Sequence, residues 1–464
     1  MFFRGLTVTK TDSLPQLPED EYILIENKGG AFSLAVCTGK GCVQDEIAIL
    51  PDGPKEEMQL CTAAYRLYVQ ATGTSLPWGV LTGVRPVRLF RNLYKQSGNL
   101  QDVINKFKNE YFVSDEKIQL CVYIFNLQQP VIDSGRPKDY SLYISIPFCP
   151  SRCSYCSFVS TSIKSHGHLM QGYVDNLCRE IEYTAQKADR QGLNLCTIYI
   201  GGGTPTAISA QQLEQVMKTV QQCFDLDRVE EYTVEAGRPD CTDMEKLQII
   251  KKYGADRVSI NPQTFSDNVL KAIGRNHNHA DFLRCVEDAR KVGFDSINMD
   301  LIAGLPEDTV EGFETSLRGC IALGAENITV HTLTLKRASN LVIKNQEHTY
   351  DDVEKMIAKN SILADFGYKP YYMYRQKSTV KNLENVGFSQ VGHESLYNIY
   401  IMEEIQTIIS CGAGGVSKVV GPQGELKRVY NYKYPLEYIR DFDAILRRKD
   451  EVFDICGQFG YQKD

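Results

Sequence analysis

The sequence predicts an α/β protein built on a parallel sheet, either open or curled into a partial barrel. Six short apolar runs recur between Tyr140 and about Leu335: Tyr140 to Ile146, Thr197 to Ile200, Glu231 to Glu235, Arg257 to Ile260, Ser296 to Ile302 and Ile328 to Leu335. Amphipathic stretches such as Leu213 to Phe224 and Phe282 to Val292 separate them, which is the alternation that crossover helices impose on parallel strands. The polar residues that carry chemistry fall at or just after the ends of those runs, where ligands gather in such folds.

Residues 1 to about 135 precede the alternation. Tyr22 to Ile25 and Phe32 to Cys37 alternate as strands do, and Glu56 to Thr72 and Leu100 to Lys108 have helical periodicity. Between the helices, Leu76 to Pro86 is punctuated by Pro and Gly and holds the single Trp78, a packing anchor or a binding residue. Beyond Lys336 the alternation stops. A helical stretch from Tyr350 to Asp365 is followed by the Gly-rich loop Cys411 to Ser417 and a last helix over Tyr434 to Arg448. This region is expected to be a smaller domain covering the open end of the barrel.

At 464 residues the chain is long enough for two or three cores, and 43% hydrophobic with 23% charged residues is ordinary globular composition. A net charge of −7 excludes a global basic field for nucleic acid or anionic membrane. Fifteen cysteines, mostly scattered singly as at Cys196, Cys223, Cys285 and Cys320, read as buried small hydrophobes of a reducing compartment. The opening Met1 to Gly5 is too short an apolar stretch for a signal peptide, and no apolar run is long enough to span a bilayer. The expected setting is the cytoplasm.

Three motifs carry chemistry. Cys149, Cys153 and Cys156 form a CxxxCxxC loop directly after the first strand run. Three thiolates at this spacing can hold three irons of a four-iron cube and leave the fourth without a protein ligand. Structural zinc is the competing reading, but it wants four ligands, and only His166 and His168 stand nearby. Next, Gly201-Gly202-Gly203-Thr204-Pro205-Thr206 closes the second run, as a tight turn or as a backbone cradle for a carboxylate or amino acid moiety. Finally, Glu235, Gln263, Arg275 and Asp300 sit on or after later runs. A carboxylate inside an apolar strand is unfavourable without a partner, so their convergence points to a ligand site, with Arg275 for a carboxylate and the acids for an amine or ribose hydroxyls.

Together these residues resemble radical S-adenosylmethionine (SAM) enzymes and, more narrowly, the oxygen-independent coproporphyrinogen III oxidases, also called coproporphyrinogen dehydrogenases. The long N-terminal extension resembles the HemZ branch. The resemblance implies a partial (β/α)6 barrel over 136–340, an N-terminal α+β domain over 1–135 and a C-terminal α+β domain over 341–464. It implies a [4Fe-4S] cluster on Cys149, Cys153 and Cys156. It further implies one or two SAM molecules held by Tyr143, Tyr155, Gly202, Gly203, Thr204, Glu235, Gln263, Arg275 and Asp300. The implied activity is radical decarboxylation of coproporphyrinogen III to protoporphyrinogen IX in heme synthesis, fed by an electron donor such as flavodoxin or ferredoxin. Arg152, Lys336 and Arg337 are placed to meet the propionates of a tetrapyrrole.

Two departures stand out. Phe158 occupies the place where the well-studied oxidases carry a fourth cysteine, and CxxxCxxCxF is instead the pattern of the related heme chaperones. In that scheme the candidate heme ligand is His393, in Gly392-His393-Glu394-Ser395. The stretch Glu235-Ala236-Gly237-Arg238-Pro239 also carries Arg238 where the family often has Asn or Asp before Pro. A heme carrier and a radical enzyme with another substrate are therefore the alternatives.

Overall fold

The computed structural model describes residues 22–29, 31–38, 41–51, 55–81, 85–156, 161–335, 350 and 352–460. Phe158, Lys336 and Arg337 lie outside these residues. The chain forms two compact units, Met1–Phe125 with Arg375–Leu383, and Asn126–Tyr374 with Glu384–Asp464.

In the first unit, β1 (Tyr22–Asn27), β2 (Ala31–Thr38) and β3 (Gly41–Ala48) form an antiparallel meander. Leu34 and Val36 alternate onto one face of β2, and the helix Glu56–Thr72 covers them with Tyr65, Leu67 and Tyr68. Trp78 is fully buried, with the Arg375 guanidinium 5.0 Å from its ring, and Arg375 donates to the Leu81 and Asn382 carbonyls at 2.6 and 3.0 Å. Of the two readings of Trp78, the packing anchor is the one observed. Cys37 and Cys42, opposite each other across β2 and β3, are paired as a disulfide. Cys196, Cys285 and Cys320 are buried as expected, while Cys223 is half-buried.

The second unit is organised by one large sheet. Its parallel heart consists of β4 (Asp139–Ile146), β7 (Asn194–Gly202), β8 (Glu231–Glu235), β9 (Arg257–Ser259), β10 (Ser296–Ala303) and β11 (Asn327–Thr332), adjacent in chain order. The short strands β5 (Phe148–Cys149) and β6 (Thr161–Ser162) pair separately just beyond the end of β4. The six predicted strands are all present, joined by helices such as Ala210–Cys223 and His279–Val292. Ser209 with Gln212 and Asn278 with Asp281 cap these two through reciprocal side-chain bonds.

The C-terminal third extends both edges of this same sheet. On one side β13 (Asn385–Ser389) runs antiparallel to β11, with β12 (Lys369–Tyr374) outside it. On the other, β14 (Thr407–Cys411) runs parallel to β4 and is followed by antiparallel β15 (Val416–Val420) and β16 (Leu426–Tyr430). The predicted helix over Tyr350 to Asp365 is broken into Val353–Ala358 and Ile362–Asp365, and the last helical region is Pro435–Arg440 followed by Phe442–Gln458.

A buried network braces the β14 edge. Glu180, on the helix Met170–Gln191, is fully buried. It accepts from Gly412 N and Asn431 Nδ2, both at 2.8 Å, and from the Tyr438 hydroxyl, while Lys449 Nζ pairs with it at 2.9 Å. Every acceptor direction of that carboxylate has a donor, which is what lets an ion pair sit in the core.

Candidate active site

The cysteine loop leaves β4 at Ile146 and is pinned from two sides. Ser154 N donates to Ile273 O at 2.9 Å and Ser151 Oγ to Gly274 O at 3.1 Å, so the loop rests on the turn that leads into Arg275. From the β8 side, Arg238 donates through Nη1 to Cys153 Sγ and to Ser151 O, both at 3.4 Å. Arg275 donates to Asn261 O at 2.7 Å and Gly237 O at 3.3 Å, and reaches the Tyr155 hydroxyl at 3.3 Å. Burial keeps the Tyr155 phenol above its ordinary pKa and therefore protonated.

The glycine turn closes against the same loop. Gly203 N donates to Ile146 O at 2.9 Å and Thr204 N to Phe148 O at 2.8 Å, while Thr204 Oγ1 lies 3.5 Å from Cys149 Sγ. A Cβ at Gly203 would stand 2.7 Å from Phe148 O and 3.0 Å from Cys149 Sγ, so only glycine permits this approach. Gly202 adopts φ +115°, a region closed to other residues.

Beyond the turn, acids and aromatics line the strand ends. Tyr199 on β7 donates to Glu235 Oε1 at 2.6 Å. Tyr143, Tyr199 and Tyr397 stack face to face, with centroids 4.5 Å apart for Tyr199 and Tyr397 and 6.1 Å for Tyr143 and Tyr199. Burial pushes the Glu235 carboxyl up to about 7; the Tyr199 hydroxyl offsets part of that rise and the Asp300 charge adds to it. Asp300 is the opposite case. Burial works against its ionisation, yet His331 at 3.5 Å, Asn298 at 2.8 Å and the nearby Thr329 hold its pKa below the ordinary aspartate value. Tyr374 in turn contacts His331 Nδ1 at 3.1 Å. Gln263 joins the group through its backbone, bonding to Asp300 O and Ile302 N at 2.9 and 3.1 Å. It does so at φ +67°, a left-handed conformation that a non-glycine residue holds only under constraint and that clusters at ligand sites.

The structure thus sets Tyr155 against Arg275, Gly203 and Thr204 against Cys149, Tyr143 against Tyr199, Gly202 and Asp300 near Glu235, and Gln263 against Asp300. Arg152 lies within the cysteine loop, between Cys149 and Cys153. His393 does not join the site. It follows β13 at the end where Ser389 pairs with Asn327, the first residue of β11, and its carbonyl accepts from Arg257 and Asn327, each the first residue of its strand. That is the opposite end of the parallel strands from the cysteines. His166 is turned to Ser165 Oγ at 2.7 Å. Five side chains in contact with these groups are not assigned from the sequence: Arg238, Tyr199, Tyr397, His331 and His277. His331 carried the same signal as Asp300, a polar residue inside an apolar strand run.

Members of the radical SAM superfamily work with a [4Fe-4S] cluster and SAM, and the residues present fit both. Cys149, Cys153 and Cys156 are three thiols of one loop, the donor set of a four-iron cube held at three corners. The absent side chain at Gly203 lets the turn's half-buried backbone lie directly beside Cys149. Arg275 Nε and both ring nitrogens of His277 are buried without a hydrogen-bond partner among the described residues, as befits a site whose ligands complete it.

Comparison with known proteins agrees with this class. Residues 143–319 match the Radical SAM superfamily. The chain is 39% identical over 397 residues to the oxygen-independent coproporphyrinogen-III oxidase-like protein HemZ of Bacillus subtilis, covering 82% of this chain and 79% of that protein. It is 33% identical over 263 residues to the heme chaperone HemW of the same organism, covering 56% and 66% of the two chains. The fold is that of the coproporphyrinogen III oxidase HemN of Escherichia coli, with a TM-score of 0.55 at 21% identity over 69% of this chain and 73% of that one. The chain belongs to the oxygen-independent coproporphyrinogen-III oxidase-like family of radical SAM proteins, in its HemZ branch.

Proposed function

We propose that the chain catalyses oxygen-independent oxidative decarboxylation of coproporphyrinogen III to protoporphyrinogen IX, in the cytoplasm and within heme and porphyrin synthesis. The observation that carries this reading is the 39% identity to a coproporphyrinogen-III oxidase-like protein across about four fifths of both chains. Cys149, Cys153 and Cys156 would hold three irons of the cluster. When bound, the cluster and SAM supply one-electron chemistry at an unactivated C–H bond. An electron donor such as flavodoxin or ferredoxin would feed the site.

The chain's own residues supply binding and orientation. Gly202, Gly203 and Thr204 would place the amino acid end of SAM at the turn beside Cys149, and Arg275 is a cation for its carboxylate. Asp300, kept ionised by its neighbours, and Glu235, poised near neutrality, are acceptors for ribose hydroxyls or an amine. The constrained Gln263 backbone is tied to the strand that carries Asp300. The Tyr143, Tyr199 and Tyr397 stack is an apolar wall that excludes water from the reacting atoms.

A heme carrier is the second reading, favoured by Phe158 in the sequence and by the HemW relatives. The position of His393 at the far end of the strands weighs against heme bound beside the cysteine loop. Anaerobically reconstituted protein with SAM, a reductant and coproporphyrinogen III is expected to release carbon dioxide and form a vinyl-bearing product. No turnover, together with stoichiometric heme binding lost in His393→Ala, would favour the carrier. Cleavage of SAM with neither outcome would point to another substrate.

A further inference from the structure

We propose that Arg238 is a positioning residue for the cluster, its guanidinium clamped by Asp240 and donating an N–H···S hydrogen bond to Cys153, so that it raises the reduction potential of the site. This rests on the reading of Cys153 as an iron ligand.

Arg238 is 4% exposed, and all three of its nitrogens are engaged. Nε and Nη2 grip the Asp240 carboxylate at 2.9 and 2.8 Å, the two-pronged geometry that fixes a guanidinium plane. That clamp is local, because Pro239 opens a tight turn that carries Asp240 back alongside Arg238. The other edge of the guanidinium faces the cysteine loop, with Nη2 at 3.0 Å from Ser151 Oγ and Nη1 at 3.4 Å from both Ser151 O and Cys153 Sγ. Three bonds to one tripeptide set where Cys153 presents its sulfur. His277 backs the arrangement: its side chain is fully buried, it makes no hydrogen bond among the described residues, and its nearest approach to Asp240 is 4.0 Å.

An arrangement serving only to hold the loop would be complete with Ser151. The additional N–H aimed at a thiol has an electrical consequence once that sulfur is a thiolate on iron. Reduction adds one negative charge to the cluster, and a donor directed at a ligating sulfur stabilises the more negative form. Lysine would keep the charge but cannot grip Asp240 and reach Cys153 at once. Arg238 stands where the wider family often has Asn or Asp before Pro.

The test is an EPR-monitored redox titration of the reconstituted full chain, without SAM, for wild type, Arg238→Gln and Arg238→Lys, with iron and sulfide measured in each. The expected result is full iron content, a midpoint potential shifted negative in Arg238→Gln, and a smaller negative shift in Arg238→Lys. A wild-type potential in an iron-replete Arg238→Gln overturns the proposal. If Arg238→Gln takes up no iron, Arg238→Lys decides: a negative shift supports the assignment and an unmoved potential ends it. Cys153→Ala separates the two layers of the argument. Full iron and an unaltered spectrum there would remove the ligand reading itself, whereas loss of the cluster there with an unmoved Arg238→Gln potential would remove only the role of Arg238.

Discussion

Glu180 and Glu235 are carboxylates of the same sheet unit placed in opposite surroundings. Glu180 meets a lysine, a backbone amide, an amide side chain and a phenol, so each of its lone pairs is answered. Glu235 has the Tyr199 hydroxyl and the Gly202 amide, faces the like charge of Asp300, and is pushed up to about 7 by burial. The first is a finished joint. The second has two donors among the described residues and a raised pKa, and groups of that kind cluster where something else binds. The two also differ in depth, Glu180 being fully buried and Glu235 half-buried.

The sharpest way to break this comparison is at Glu180. Glu180→Ala leaves Lys449 buried without its counter-charge and is expected to destabilise the protein by about 3–5 kcal/mol in urea unfolding. Lys449→Met, which leaves the carboxylate three donors, should have a clearly smaller effect. Equal losses would mean that the network is not organised around Glu180.

Glu235 should behave the other way. Its folded pKa, about 7, lies above the ordinary value of 4.5, so the unfolded chain releases the proton first as pH rises. Below about 4.5 the group is neutral in both states and has no effect. Between about 4.5 and 7 stability falls, and above 7 the full penalty, roughly 3 kcal/mol, is present. Glu235→Gln should remove this slope, matching wild type near pH 4 and exceeding it near pH 8 in unfolding of the apoprotein. A variant that is less stable than wild type at pH 8 would show that Glu235 is a structural group like Glu180.

The smallest effect is expected at Gln263. Glycine accepts φ +67° without strain, so Gln263→Gly should leave stability unchanged or raise it by up to about 1 kcal/mol, while SAM affinity measured by calorimetry falls. A loss of more than about 1 kcal/mol would make the side chain a packing element.

Much of this contrast is legible in the chain itself. The six parallel strands announce themselves as apolar runs, and Glu231–Glu235 agrees to the residue. The cysteine loop, the glycine turn and the isolated acids are visible because their residue types are out of place in an apolar context. Tyr199 and Tyr397 are not visible in this way, since an aromatic in a strand or helix looks like core whether or not it lines a site. Arg238 stood out as a departure, but its bond to Cys153 joins positions 85 residues apart, and no local pattern encodes that. For His393 the chain offers a short string like a ligand motif, and only the β11–β13 register reveals which end of the sheet it occupies.

The pairing of β14 with β4 has a consequence for biogenesis. Ser141 and Gln406, hydrogen-bonded at 2.5 Å across this seam, are 265 residues apart. At roughly 5–20 residues per second of synthesis, tens of seconds separate the emergence of the two strands. Throughout that interval the segment feeding the cysteine loop has one unpaired border, an open template for wrong partners on a crowded ribosome. Nascent chains of this protein should therefore depend on chaperone cover until the last quarter of the polypeptide arrives to seal it.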